Sequence, residues 1–494
     1  MNVSQNSLRI VFWCAALFFL VLNVLTIKDG HSWGDDFGQY IQHAKNIAQG
    51  QPYAGRIIAE PWVVVPPGYP LLLAPLLKCF GINFKILKLF NVVCWQLFVL
   101  ALFPLLRRRL GEEAALLAAL VLLSSPSFFI FKQNVLSDTA FIFFVTAALS
   151  AWTKYSESLK NEESKNARFF LGAALFFMLY SVLIRTAGVA VFIAAALYSF
   201  AAGNKKRDIL LLILVFLMGM GISHIFGTSG MDHYMKSLQV PLEDLPKFFK
   251  EHVVYIFHTV VMFYIPTKNV VSIPIFSFLS FLITRTAPLL LVGIVLIFIY
   301  RLVRRTVSLV ECFFFVYFLG IIVWTIEGGV RYFLPIAGPF LLLSLEGFRV
   351  GYQFVLRGKW EKAREGSIRW FLIFLIVNNC MSILIDIDFD DNEIYKKDAR
   401  EMVQWVKDNV GSDEPYMFWK PRAMAALTDR VGTPFWIYPE EEKTWNRRVE
   451  KFKIDYLIIA KNDAFHLSER VSAGAVPAEA VWENSEYKIF KVKR

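Results

Sequence analysis

Runs of about 20 predominantly apolar residues recur along most of this chain, enough each to cross a bilayer core, and no single soluble core can bury them all. That recurrence restricts the fold to a polytopic membrane protein, because hydrocarbon tolerates only segments that satisfy their own backbone hydrogen bonds. Composition agrees: 56% of the 494 residues are hydrophobic and 47 are Phe, with a mean hydropathy of +0.48. Spans are expected at about 10–27, 88–106, 113–131, 138–153, 169–184, 187–202, 208–226, 280–300, 309–326, 331–350 and 369–386. The first has only Arg9 ahead of it, and Thr26-Ile27-Lys28 is a poor small-residue cleavage site, so it reads as a retained helix and not a signal peptide.

The net charge of +11 invites a nucleic-acid reading. The positions of the charges argue against it. With the N-terminus inside, alternate short connections hold Arg107–Arg109, Lys154–Arg168, Lys205–Arg207, Arg301–Arg305 and Arg357–Arg369, as the positive-inside rule predicts. The five cysteines lie in or beside apolar segments without metal-ligand spacing and read as small core residues.

This topology leaves residues 28–87 as one long external loop. Within it Gly68–Ile82 is apolar but short and carries Pro70 and Pro75, which suits a helix lying in the outer interface. Residues 227–287 combine an external loop with a segment too short to span comfortably. After about residue 387 the composition changes sharply. A helix in IYKKDAREMVQWVKDNVG, strands in PYMFW, IDYLIIA and YKIFKV, and a charged helix in PEEEKTWNRRVEKF describe a small soluble α/β domain outside the membrane. The expected division is therefore 1–386, an all-α polytopic membrane domain, and 387–494, an extracytoplasmic α/β domain.

Four polar features reach the same outer face. Asp35-Asp36 opens a stretch in which Asp36, Tyr40 and His43 share one side of a helix, a carboxylate, a phenol and an imidazole along one cleft wall. The competing reading is an aspartate N-cap. Ser137-Asp138 opens a later helix and has the same two readings. Arg185 sits between two tightly spaced spans, and Arg331 follows Glu327-Gly328-Gly329-Val330. Acids and arginines converging on one membrane face suggest a site for a lipid-linked phosphate; the alternative is four unrelated helix ends.

The order of these elements resembles the GT-C superfamily of polyprenyl-phosphate-dependent glycosyltransferases, in particular its protein mannosyltransferase and aminoarabinose transferase branch, over residues 10–350. The matching motifs are Asp35-Asp36 followed by Ala44-Lys45-Asn46, the interfacial Pro66-Pro67-Gly68-Tyr69-Pro70, Ser137-Asp138, and Arg331-Tyr332-Phe333-Leu334-Pro335. Some members carry Lys or His just before the Pro-Pro, where this chain has Val65. The spacing to Ala44 favours Asp36 over Asp35 as the family aspartate.

The resemblance implies an inverting transfer of a sugar from a polyprenyl-phosphate donor to an acceptor hydroxyl on a lipid, glycan or protein, on the outer face of what the compact loops suggest is a bacterial inner membrane. Asp36, or Asp35, would be the base, and Asp138 would orient the acceptor or hold a divalent cation. Arg185, Arg331 and Lys132 would bind the donor phosphate, and Tyr40, His43, Tyr69 and Tyr332 would line the cleft. No other cofactor is implied. Two rivals remain: a polymerase or ligase using diphosphate-linked glycans, and a lipid or solute transporter, though no repeated half with paired broken helices is visible.

Overall fold

The computed structural model of the protein describes residues 5–34, 36–53, 64–202, 206–228, 293–323, 329–356, 361–387, 392–434, 449–461, 471–472 and 476–493, together with a few positions between 251 and 264. The helices of the membrane part are α1 (Gln5–Leu25), α2 (Asp36–Gln49), α3 (Gly68–Phe80), α4 (Phe84–Leu110), α5 (Glu112–Leu123), α6 (Pro126–Phe131), α7 (Asp138–Lys160), α8 (Ser164–Ile184), α9 (Val189–Ala201) and α10 (Lys206–Ile225). They continue with α11 (Gly293–Val303), α12 (Leu309–Ile322), α13 (Val330–Leu356) and α14 (Glu361–Asp386). Among the described residues, six helices are long and apolar enough to cross a membrane. α1, α9, α11 and α12 contain shorter apolar stretches, and α7 is a 23-residue helix with polar ends. The expected span at 280–300 is described only from Gly293, and most of 227–287 lies outside the described residues.

The outward faces confirm the solvent these helices require. Ile10, Trp13, Leu17 and Leu25 on α1, and Leu210, Leu214 and Leu217 on α10, are exposed. Exposed apolar surface this continuous is untenable in water and ordinary in lipid. α3 has 13 residues, about 20 Å of helix, too short to cross a hydrocarbon core of about 30 Å. It fits the interfacial helix expected there.

Charged side chains close one end of the bundle. Arg9 pairs with Glu112 (3.1 Å), Arg109 with Glu346 (2.7 Å), Arg349 with Glu365 (2.6 Å), Arg369 with Glu113 (2.7 Å), and Arg301 with both Glu311 and Glu346. These residues sit at or toward the helix ends that the alternating topology expects on one membrane face. Ser308 and Glu311 form a reciprocal capping box that fixes the start of α12 there.

Beyond α14 the chain forms α15 (Lys397–Asn409), β1 (Tyr416–Phe418), α16 (Pro421–Thr428), β2 (Gly432–Pro434), β3 (Tyr456–Ala460), β4 (Ala478–Glu483) and β5 (Tyr487–Val492). The sheet order is β2-β1-β3-β5-β4. β1 runs parallel to β2 and β3, and β5 runs antiparallel to β3 and β4, with Leu457 opposite Phe490. Both faces of β3 are covered, which is why its sequence is a continuous apolar run. The all-α membrane part with a small α/β part is the fold class expected from sequence. The expected charged helix at PEEEKTWNRRVEKF lies almost wholly outside the described residues.

The α/β part is docked on the segment between α1 and α2. Asn392 N donates to Asp29 O (3.3 Å) and Ile394 N to His31 O (3.1 Å). Trp33 N donates to Glu393 Oε2 (2.8 Å), and Trp33 Nε1 to the Tyr487 hydroxyl (3.1 Å). α2 and α16 lie against each other at two points seven residues apart on both helices. Gly38 meets the backbone of Arg422 and Ala423, and Lys45 pairs with Asp429. A Cβ on Gly38 would fall 2.4 Å from the Arg422 carbonyl oxygen, so only glycine permits this approach.

Candidate functional site

At the end of the bundle away from the Arg and Glu pairs, acids and arginines gather from five separate segments. Arg331, in the first turn of α13, donates from Nη1 to Asp36 Oδ2 (2.6 Å) and from Nε to Asp138 Oδ2 (2.8 Å). The other oxygen of Asp138 accepts from Arg185 Nη1 (2.6 Å). Arg422 Nη1 of α16 lies 3.8 Å from Asp36 Oδ1. Neither oxygen of Asp138 is spent on its own helix, and its N-cap, Ser137, makes no side-chain capping bond. The capping reading of Asp138 therefore gives way to a role in the cluster.

Each side chain is delivered by a local device. α8 ends at Arg185 in an extended conformation, and the chain turns back at once into α9 because Gly188 lies directly on the backbone of Ser181 and Val182. Gly68, at the start of α3, lies equally close to the backbone of Leu183 and Ile184. That contact pins the interfacial helix beside Arg185. α2 is held between α3 and α16, placing Asp36 at the mouth.

Tyr40 shares a hydrogen bond with Ser137 Oγ (2.9 Å), and its ring meets Tyr69 edge-on at 5.0 Å. The Tyr69 hydroxyl donates to Asn91 Oδ1 (3.1 Å), which also accepts from Thr139 Oγ1 (3.0 Å). Asn91 Nδ2 donates to Asn134 O (2.6 Å). The Arg185 guanidinium lies over the Tyr332 ring at 5.7 Å, a cation–π arrangement that supports its orientation. The His43 ring lies 4.3 Å from that of Tyr53, tilted by 43°.

The two acids differ in access. The Asp138 side chain is 3% exposed and that of Asp36 is 46% exposed. Burial pushes the Asp36 carboxyl up, but Arg331, joined by Arg422 and Arg185, outweighs it and holds the group below the usual carboxylate value. Burial, with Arg422 nearby, lowers His43 to about 3, so its imidazole is neutral at physiological pH. Burial raises Tyr40, which keeps its proton and can donate it. A guanidinium has five N–H donors, and Arg331 uses two in these ion pairs.

The structure thus brings together Asp36, Asp138, Arg185 and Arg331, with Tyr40, Tyr69 and Tyr332 around them. Lys132 does not join them. Its ammonium bonds Asn23 Oδ1 (3.1 Å) and Thr26 Oγ1 and lies over the Phe129 ring, tying α1 to the turn after α6. Asp35 and Glu327 lie outside the described residues. Sequence reasoning missed Asn91, Thr139 and Arg422; a polar Asn within an apolar span was the signal available for the first. Among the described residues no group of three or more His, Cys, Asp or Glu is placed to hold a metal ion.

Residues 64–226 match the sequence model of a family described as dolichyl-phosphate-mannose-protein mannosyltransferase. Among solved structures, the chain is similar to ArnT from Cupriavidus metallidurans, in its apo state and bound to undecaprenyl phosphate. The identity is 12%, 98% of this chain and 97% of that one are covered, and the TM-score is 0.57. The Archaeoglobus fulgidus oligosaccharyltransferase, in complex with Zn and sulfate, aligns over 91% of this chain and 68% of its own at 14% identity and a TM-score of 0.57. The mycobacterial arabinofuranosyltransferase AftD aligns over 100% and 40% at 11% identity and a TM-score of 0.50. No curated protein matches the chain by sequence. The GT-C resemblance read from the motifs is borne out: the chain has the fold of these membrane glycosyltransferases.

Proposed function

We propose that this GT-C-fold membrane protein transfers a sugar from a polyprenyl-phosphate donor to an acceptor hydroxyl in one inverting displacement, with Asp36 as base. The observation that carries this reading is Arg331, which joins a sealed acid, Asp138, to an accessible one, Asp36. The acceptor oxygen attacks the anomeric carbon and its proton passes to Asp36. The bond from that carbon to the phosphate oxygen breaks, and polyprenyl phosphate leaves. Phosphate is a good leaving group, so the reaction calls for a base and for cations on the departing oxygens, and not for the strong acid a glycosidase uses.

Arg331 and Arg185 are the donor ligands in this scheme, since guanidinium pairs well with phosphate oxygens. When the phosphate draws Arg331 toward itself, Asp36 loses its closest counter-charge and becomes a stronger base. Binding of the donor therefore switches the base on. Asp138, locked by Arg185, keeps both arginines in register. Lys132 anchors α1 in this scheme and touches no phosphate. The similarity to an ArnT solved with undecaprenyl phosphate supports a lipid phosphate as the donor class. We assign residues 1–386 to the membrane domain and 387–494 to an extracytoplasmic domain in a bacterial inner membrane, with the arginine-rich end of the bundle in the cytoplasm.

The test is transfer of labelled sugar from a panel of polyprenyl-monophosphate sugars by purified protein in liposomes, with envelope acceptors. Wild-type transfer that is lost in Asp36→Asn is the expected result. Transfer only from diphosphate-linked glycans would move the protein to the polymerase and ligase class, and full activity of Asp36→Asn would remove the assigned base.

A further inference from the structure

The proposed base is touched from outside the membrane bundle. Asp36 gives one oxygen to Arg331 at 2.6 Å, while the other faces Arg422 Nη1 at 3.8 Å. Arg422 is carried by α16, in the C-terminal α/β part, and its side chain is 15% exposed. Its backbone is fixed against α2 by the Gly38 contact, and the same helix pair is closed one heptad on by Lys45 and Asp429. The helix that carries this guanidinium is thus held against α2 by contacts that do not involve Arg331.

Resting on the reading of Asp36 as base, we infer that Arg422 is a positioning residue: it holds the Asp36 carboxylate in its working orientation when Arg331 turns to the donor phosphate, which makes the C-terminal α/β part a component of the site. Asp36 is aligned by Arg331 in the structure. A carboxylate released from that pair turns about its side-chain torsions unless a second partner retains it, and misorientation of a reacting group by about 1 Å costs on the order of a hundredfold in rate. Arg422 is the cation facing the oxygen that Arg331 leaves alone. It also contributes to keeping Asp36 ionised, and Arg331 has ceased to do so by the time the base must act.

The experiment compares wild type with Arg422→Gln, Arg422→Lys and Asp429→Asn in the liposome transfer assay, with separate measurement of undecaprenyl phosphate binding. Arg422→Gln is expected to lower kcat about tenfold or more, leave the donor KM and undecaprenyl phosphate affinity within twofold of wild type, and move the acidic limb of kcat to higher pH. Arg422→Lys, which restores the charge, should recover most of the rate. Asp429→Asn weakens the same helix contact one heptad away and tolerates the left-handed backbone at that position; it should leave kcat and the acidic limb in place. Unchanged kcat and pH limb in Arg422→Gln, or a lost donor affinity with normal kcat, would overturn the inference while leaving Asp36 as base. Equal damage from Arg422→Gln, Arg422→Lys and Asp429→Asn would reduce Arg422 to a docking residue. Absence of transfer by the wild type would sink the functional reading itself, and this inference with it.

Discussion

At the scale of single residues, the proposed division of labour between two aspartates rests on what each can reach. Asp36 is half open and held by an arginine that an anion can draw away; Asp138 is sealed between two arginines. Asp36→Asn should cost about 10²–10⁴-fold in transfer rate, the usual worth of a general base, with thermal stability at pH 7 close to wild type. Asp138→Asn should instead destabilise the fold, by about 3 kcal/mol, because it leaves the largely covered Arg185 without its carboxylate and Arg331 with Asp36 alone. Adding Arg185→Gln should recover part of that loss, and a thermal denaturation series on the single and double variants would reveal the coupling. Both acids were visible in the sequence as acids at an outer edge. Their difference in access was not, because it depends on Arg331, whose sequence distance from Asp36 is 295 residues. Lys132 illustrates the converse: a basic residue at the right membrane depth, committed to Asn23 and Thr26 on α1.

At the scale of elements, the loop between α1 and α2 is held by partners chosen one hydrogen bond at a time. His31 donates from Nδ1 to Ser32 O (2.8 Å) and accepts at Nε2 from Val135 N (2.9 Å), an arrangement open only to the neutral ring. Burial lowers it to about 3. Since the unfolded imidazole protonates near 6.5, this group leaves stability intact above that pH and removes it as pH falls from about 6.5 toward 3, by up to about 1.4 kcal/mol per pH unit. His31→Gln should flatten the dependence of melting temperature on pH between 6.5 and 4.5; an unchanged slope would show that the ring is not held neutral. Gly38→Ala places a methyl group against the Arg422 carbonyl and should lower activity more than tenfold, with limited proteolysis showing a loosened C-terminal segment.

Long elements were legible because a 20-residue apolar run or an amphipathic helix repeats its signal many times. β2 and β4 were not. β2 contributes only Gly432–Pro434, too short to show alternation, and β4 exposes most of its residues. α16 was hidden by its eight-residue length. Its contact with α2 is made by a missing side chain, which periodicity does not register.

At the scale of the whole molecule, two oppositely equipped ends define the protein. One holds paired Arg and Glu from seven helices, and the other holds the Asp and Arg cluster and the sheet. In a background with the five native cysteines replaced, cysteine at Ser412 should react with a membrane-impermeant maleimide added outside sealed cells, and cysteine at Asn161 should react only after permeabilisation. The reverse pattern would invert the proposed orientation. Alternation of basic loops made this arrangement readable from sequence. The joining of the last 100 or so residues to the segment between α1 and α2 was unreadable, since it depends on shape.

That joining also has a consequence in time. Lys45 and Asp429 are separated by 384 residues, which at about 5–20 residues per second takes a ribosome about 20–80 s to traverse. Through that interval α2 lacks one of the two helices that cover it. The newborn chain must therefore carry Asp36 on a half-clothed helix until α16 has been made.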